Sequence, residues 1–143
     1  MDAAVDPSRR WLRVLLLCWW VLIFTATHTP IPPPEGAPAV PDKSIHFGMY
    51  AVLGALLVLW EGWRVRLARR RCGASLGILA GYAVVDELLQ IPVGRSAEWL
   101  DGAADLLGGT AGVSIAAIAQ WLWFGVTRGW VAPAEARLSP LRD

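Results

Sequence analysis

Val14-Leu15-Leu16-Leu17-Cys18-Trp19-Trp20-Val21-Leu22-Ile23-Phe24 has no polar position, and neither has the stretch AVLGALLVLW from Ala51 to Trp60. A helix on the surface of a water-soluble domain needs a polar stripe; one that is apolar all round lies in a large core or in a bilayer. Working outward from these two stretches, charge is missing for 21 residues from Val14 to Pro34, 17 from Ser44 to Trp60, 14 from Cys72 to Val85 and 22 from Leu106 to Thr127. About 20 mostly apolar residues cross the hydrocarbon core. The sequence therefore predicts an all-α polytopic membrane protein, with four transmembrane helices at about 11–27, 46–63, 73–91 and 101–124 in one bundle.

The totals agree. Of 143 residues, 55% are apolar and 17% charged, where soluble domains carry ~25% charged residues. The length fits a single domain over 1–143. A net charge of +1 argues against nucleic acid as a partner, which needs a sustained basic surface. Cys18 and Cys72 lie in or beside apolar runs and show no metal-type spacing, so a disulfide scaffold and a zinc finger are excluded.

Basic residues assign the sides. Arg9, Arg10 and Arg13 precede the first helix, Arg64, Arg66, Arg69, Arg70 and Arg71 lie between the second and third, and Arg128, Arg137 and Arg142 follow the fourth. Eleven of the 13 thus share one side, leaving Lys43 and Arg95 on the other. Basic residues in short loops stay cytoplasmic, so both termini are predicted inside and the loops Thr29–Asp42 and Pro92–Leu100 outside. Trp11, Trp60, Trp63, Trp121, Trp123 and Trp130 then fall near the cytoplasmic interface, which suits an indole, and Trp99 near the outer one. Trp19 and Trp20 are expected to face lipid or a neighbouring helix. Ser8-Arg9-Arg10-Trp11-Leu12 loosely resembles a twin-arginine signal, but the run lacks a small-x-small cleavage site, so the first helix is expected to stay. The outer loop from Thr29 through Pro41 is proline-rich and should be extended and stiff.

Ionisable groups inside spans are costly, on the order of 2.5–3.5 kcal/mol at the helix centre, and are kept for pairing or for function. Asp42, His46 and Tyr50 follow one another at single-turn spacing in the second helix. Asp86, Glu87 and Gln90 lie near the end of the third, Arg95 in the outer loop, and Asp101 and Asp105 one turn apart at the start of the fourth. Alternating helix direction puts all of them in one shallow layer, about a turn of ~5.4 Å below the outer surface. A polar pocket open to the extracytoplasmic side is the expectation. The layer and its rim hold five acids, Asp42, Asp86, Glu87, Asp101 and Asp105, against Lys43, Arg95 and His46. A scaffold of ion pairs would be balanced, so the surplus favours a functional pocket over a network that only fixes register. The same oxygen donors with His46 would suit a cation, but no tight ligand spacing marks one; no metal centre is assigned and the cofactor stays open. Gly77-x-x-x-Gly81 and Gly108-x-x-x-Gly112 put small residues on one face of the third and fourth helices, for close packing within the chain or between copies.

Asp42-Lys43-x-x-His46-Phe47-x-x-Tyr50-x-x-Leu53-Gly54 resembles the first motif of the VanZ-like family. Asp86-Glu87-x-x-Gln90 is similar to its second, and Gly94-Arg95, Asp101, Gly108 and Gly112 to its third. The resemblance runs from about 42 to 112, in order, and departs at Asp105, where the family usually carries asparagine. It implies a small multi-pass protein of the bacterial cytoplasmic (inner) membrane. The family takes its name from a protein associated with resistance to the glycopeptide teicoplanin, and the name gives no reaction. Teicoplanin acts outside the membrane on peptidoglycan precursors, so the resemblance implies a membrane lipid or lipid-linked cell-wall precursor as partner.

The expectation is therefore a cell-envelope protein that binds or modifies a headgroup at the outer leaflet. Asp42, His46, Asp86 and Glu87 are the candidate catalytic residues, with His46 and Asp42 as the acid–base or orienting pair. Lys43, Tyr50, Gln90, Arg95, Asp101 and Asp105 are the candidate substrate-binding residues, Arg95 and Lys43 for an anionic phosphate. Hydrolysis or transfer on the headgroup is the first reaction class, with Ser44 and Ser96 the rim hydroxyls. Two other readings stay open: a non-catalytic structural or partner subunit, and a small ion- or proton-coupled transporter. Apart from Glu61, the inner helix halves are apolar and give a transport path no charges.

Overall fold

The computed structural model describes residues 7–29, 42–62, 69–94 and 98–135. The proline-rich stretch 30–41, Arg64, Arg66 and Arg95 lie outside them. Four helices carry the chain: α1 (Pro7–His28), α2 (Asp42–Gly62), α3 (Arg69–Gln90) and α4 (Trp99–Glu135). Among the described residues there is no strand. All four helices are long and apolar enough to cross a membrane, over Arg10–His28, Asp42–Glu61, Arg70–Val93 and Trp99–Val126.

The helices outrun the uncharged runs because backbone hydrogen bonding does not stop where charge begins. The sequence places the second start at 46; α2 begins at Asp42, an acid whose charge suits the positive end of the helix dipole. The third is expected from 73, but α3 takes in the arginines from Arg69, and Arg71 donates from a guanidinium nitrogen to the Glu61 carbonyl at 3.1 Å. The fourth is expected over 101–124; α4 runs from Trp99 to Glu135, and its first turn is closed by the Asp101 N–H on the Glu98 carbonyl at 2.9 Å. After α3 the chain makes a 3-10 turn, Ile91–Val93, and leaves it through Gly94 at φ 81°. That left-handed conformation is strained for any residue with a Cβ.

α2 and α4 make the most extensive helix contact, while α1 packs mainly on α2. Glycine makes the first contact. A Cβ on Gly108 would collide with the Phe47 carbonyl oxygen, and one on Gly112 with that of Ala51. Of the two small-residue motifs, this one packs within the chain. The other does not: Cβ atoms on Gly77 and Gly81 would meet open space, because their face of α3 is turned away from the other helices. Trp19 donates its indole N–H to the Met49 carbonyl at 2.9 Å, and Trp20 meets Tyr82 edge-on at 5.1 Å between centroids. Both tryptophans therefore serve the contact between α1 and its neighbours.

The distribution of side chains is the reverse of a soluble fold. Outward faces carry Leu17, Val21, Val84, Leu107, Ile115 and Ile118, each more than half exposed. The interior holds Ile23, Leu53, Leu57, Val58 and Leu79, together with His46, Asp86, Glu87, Gln90, Asp101 and Asp105. An exposed apolar surface of this extent calls for cover by lipid or by another protein. By length and composition the chain is a multi-pass membrane protein.

Candidate functional site

The polar side chains gather where α1 ends, α2 begins, α3 ends and α4 begins. Spacing within each helix explains the gathering. Asp42, His46 and Tyr50 share one face of α2, Asp86 and Gln90 one face of α3, and Asp101 and Asp105 one face of α4, each set at four-residue intervals. Asp86 and Glu87 are neighbours in sequence, so they point about 100° apart and meet different helices.

Three groups result. At the α2–α4 contact, His46 Nδ1 lies 3.0 Å from Asp105 Oδ1, with both side chains buried. Glu87 reaches across from α3, accepting the Glu98 N–H on Oε2 at 2.9 Å, and so caps the start of α4. Ligand atoms of His46, Glu87 and Asp105 all lie within 4.8 Å of one another. Between α1 and α3, Asp86 accepts from Thr27 Oγ1 on Oδ1 at 3.2 Å and from Gln90 Nε2 on Oδ2 at 3.4 Å. His28 Nδ1 stands 3.8 Å from the same Asp86 Oδ1. At the rim, Lys43 Nζ holds Glu98 Oε2 at 3.3 Å and Asp101 Oδ1 at 3.4 Å. Exposed Asp42 comes close to His46 and Asp101. Tyr50 sits fully buried, stacked on Tyr82 at 5.7 Å.

Nine of the ten candidate residues thus belong to one polar end; Arg95 lies outside the described residues. Packing adds to two expectations. His46, expected to pair with Asp42, keeps Asp42 close and also hydrogen-bonds Asp105, because α2 and α4 touch at glycine and bring those side chains together. Lys43 is also not a bare phosphate contact: an anion must compete with Glu98 and Asp101 for it. Compared with known proteins, the chain matches no family model, no curated protein and no solved structure.

Sequence reasoning missed the share of α1. Thr27 and His28 complete the Asp86 group, and His28 also stacks on Phe24 at 4.0 Å. A signal was there. The apolar run of the first helix ends in Thr25-Ala26-Thr27-His28, at the depth where the alternating helix direction had placed the other polar residues. Tyr82 and Glu98 were missed as well, since neither falls in a run of charges.

Chemically, the arrangement offers an imidazole hydrogen-bonded to one carboxylate with a second nearby, which is what general acid–base work requires. Glu87 of this buried cluster stands in the wall of a groove of about 350 Å³ between α3 and α4, lined among others by Ala83, Val84, Leu88, Trp99, Ala103 and Leu106. An apolar slot next to a polar cluster is the shape of a site for an amphiphile.

Proposed function

We propose that this chain is a VanZ-like integral membrane protein of the bacterial cell envelope, associated with teicoplanin resistance, that binds or modifies the headgroup of a lipid or lipid-linked cell-wall precursor. In this reading the four helices form a bundle with both termini in the cytoplasm of a cell whose inner membrane they span. The polar end then opens to the extracytoplasmic side. The orientation is supported by the arginines, which crowd the opposite end, as cytoplasmic loops require.

One observation carries the proposal. Buried polar side chains from all four helices converge at one end of the helices, and one of them, Glu87, stands in the wall of an apolar groove between α3 and α4. A headgroup would meet Glu87, backed by the buried His46 and Asp105, while an acyl chain would lie along Val84, Leu88 and Leu106. Lys43 and Arg95 would take the anionic part. Support also comes from the motif blocks resembling the family, since their residues His46, Asp86, Glu87, Asp101, Gly108 and Gly112 belong to this polar end or to the helix contact that builds it.

The test is expression in a teicoplanin-susceptible bacterial host. The wild-type chain should raise the inhibitory concentration. His46→Ala, Glu87→Gln and Arg95→Ala should abolish the increase at unchanged membrane levels of the protein. Full protection by all three variants would leave the polar end as scaffold and refute the proposal.

A further inference from the structure

Hydrogen bonds use only part of the capacity of the α2–α3–α4 group. Asp105 gives Oδ1 to His46, and Glu87 gives Oε2 to the Glu98 N–H. The other oxygens, Asp105 Oδ2 and Glu87 Oε1, are buried without a hydrogen-bond partner. Asp105 is wholly buried and Glu87 is 8% exposed. An ionised carboxylate accepts at about four lone-pair sites, and an unmet acceptor shut away from water is costly. Lys43 is engaged by Glu98 and Asp101 at the rim. Two such oxygens beside one imidazole suit a ligand that carries concentrated positive charge.

We propose that His46, Glu87 and Asp105 form a divalent-cation site of the kind that takes zinc or manganese. Ligand atoms at ~2.0–2.2 Å from such an ion, spread at ordinary coordination angles, stand roughly 3.0–3.5 Å apart. The 3.0 Å between His46 Nδ1 and Asp105 Oδ1, a hydrogen bond in the metal-free protein, matches one edge of that polyhedron, with the ion taking the place of the shared proton. Glu87, within 4.8 Å of both, closes the third corner by turning about its own side-chain bonds. One imidazole and two carboxylates stand between the preferences of zinc, which favours nitrogen, and manganese, which favours oxygen. Three protein ligands from three helices leave a coordination position open, as catalytic metal sites do and closed structural sites do not. That position takes an oxygen donor, a water or a phosphate oxygen. A second grouping, Asp42, His46 and Asp101, is as compact. It is the poorer site, because Asp42 is exposed and Lys43 already holds Asp101.

This inference goes beyond the headgroup reading and does not depend on it, since the ion binds protein side chains with no lipid needed. Full-length protein purified in detergent is stripped with a chelator, exposed to zinc or manganese chloride, desalted and assayed for metal by mass spectrometry. Wild type is expected to retain about one equivalent per chain and to unfold at a higher temperature with it. His46→Ala, Glu87→Gln and Asp105→Asn should each weaken binding roughly tenfold or more. Asp86→Asn should keep the full equivalent, because both Asp86 oxygens already have partners. Retention below about a tenth of an equivalent by wild type for both metals overturns the proposal. So does equal loss in Asp86→Asn, which would mean that the layer attracts cations only as undirected charge. A triad variant that fails to fold gives no metal reading, so wild type is also loaded with cobalt(II). A visible spectrum of nitrogen–oxygen coordination supports the site, and that of the free aquo ion overturns it.

Discussion

Asp86 and Asp105 are both wholly buried, both at the same end of the helices, yet they keep different company. Asp86 is answered on every side, with Thr27 on one oxygen, Gln90 on the other and His28 nearby. Asp105 has one oxygen on His46 and one without a hydrogen bond, and Glu87 beside it repeats the pattern. Two acids of equal burial can therefore differ in what they are for. A carboxylate with a partner on each oxygen ties helices together; one with an oxygen left over has something still to bind. By this criterion the proposal makes the α1–α3 corner scaffold and the α2–α3–α4 corner the site.

The difference can be attacked from its foundation. Gly112→Leu puts a side chain where the Ala51 carbonyl stands and separates α2 from α4, while leaving the Asp86 corner uncrowded. It should cost roughly 3 kcal/mol and abolish most of the folded yield on size-exclusion chromatography; a wild-type yield would mean that the glycine contact does not hold the site together. Next come the acids themselves. Asp86→Ala strips Gln90 of its acceptor, leaves Thr27 only its own helix carbonyls, and should destabilise by about 3 kcal/mol. Asp105→Asn still offers His46 an oxygen and should cost about 1 kcal/mol or less. Reversible unfolding in mixed detergent measures both, and the opposite ranking would erase the distinction between the corners. Thr27→Val removes one hydroxyl from the Asp86 corner alone and should lower stability by about 1 kcal/mol in the same assay. Smallest is Lys43→Gln: a half-exposed pair is screened by water, so the unfolding midpoint should stay where it was.

Much of this was legible in the sequence. Uncharged runs gave four helices, and alternating direction gave one polar layer, because spacing along a helix and depth in a membrane are both one-dimensional quantities. What was not legible depends on rotation about the helix axes. Asp86 and Glu87 read as a unit, yet a single residue step turns them toward different helices. The two glycine motifs read alike, yet Gly108 and Gly112 face α2 whereas Gly77 and Gly81 face no helix. His46 has acids within a turn in its own helix and across the contact, and only packing selects Asp105. Thr27 escaped notice for another reason: a hydroxyl costs little in a helix, where it bonds back to the carbonyl four residues earlier, as Thr27 does to Ile23 at 3.0 Å. It leaves no gap in the hydropathy pattern.

That α2 and α4 bring His46 and Asp105 into contact is the claim on which the site stands. A double-mutant cycle on metal-free protein measures it directly, with His46→Ala, Asp105→Ala and the pair unfolded in parallel. A buried hydrogen bond at 3.0 Å should give a coupling of about 1–2 kcal/mol between the two substitutions. Effects that add to within about 0.3 kcal/mol would mean that the two side chains do not meet.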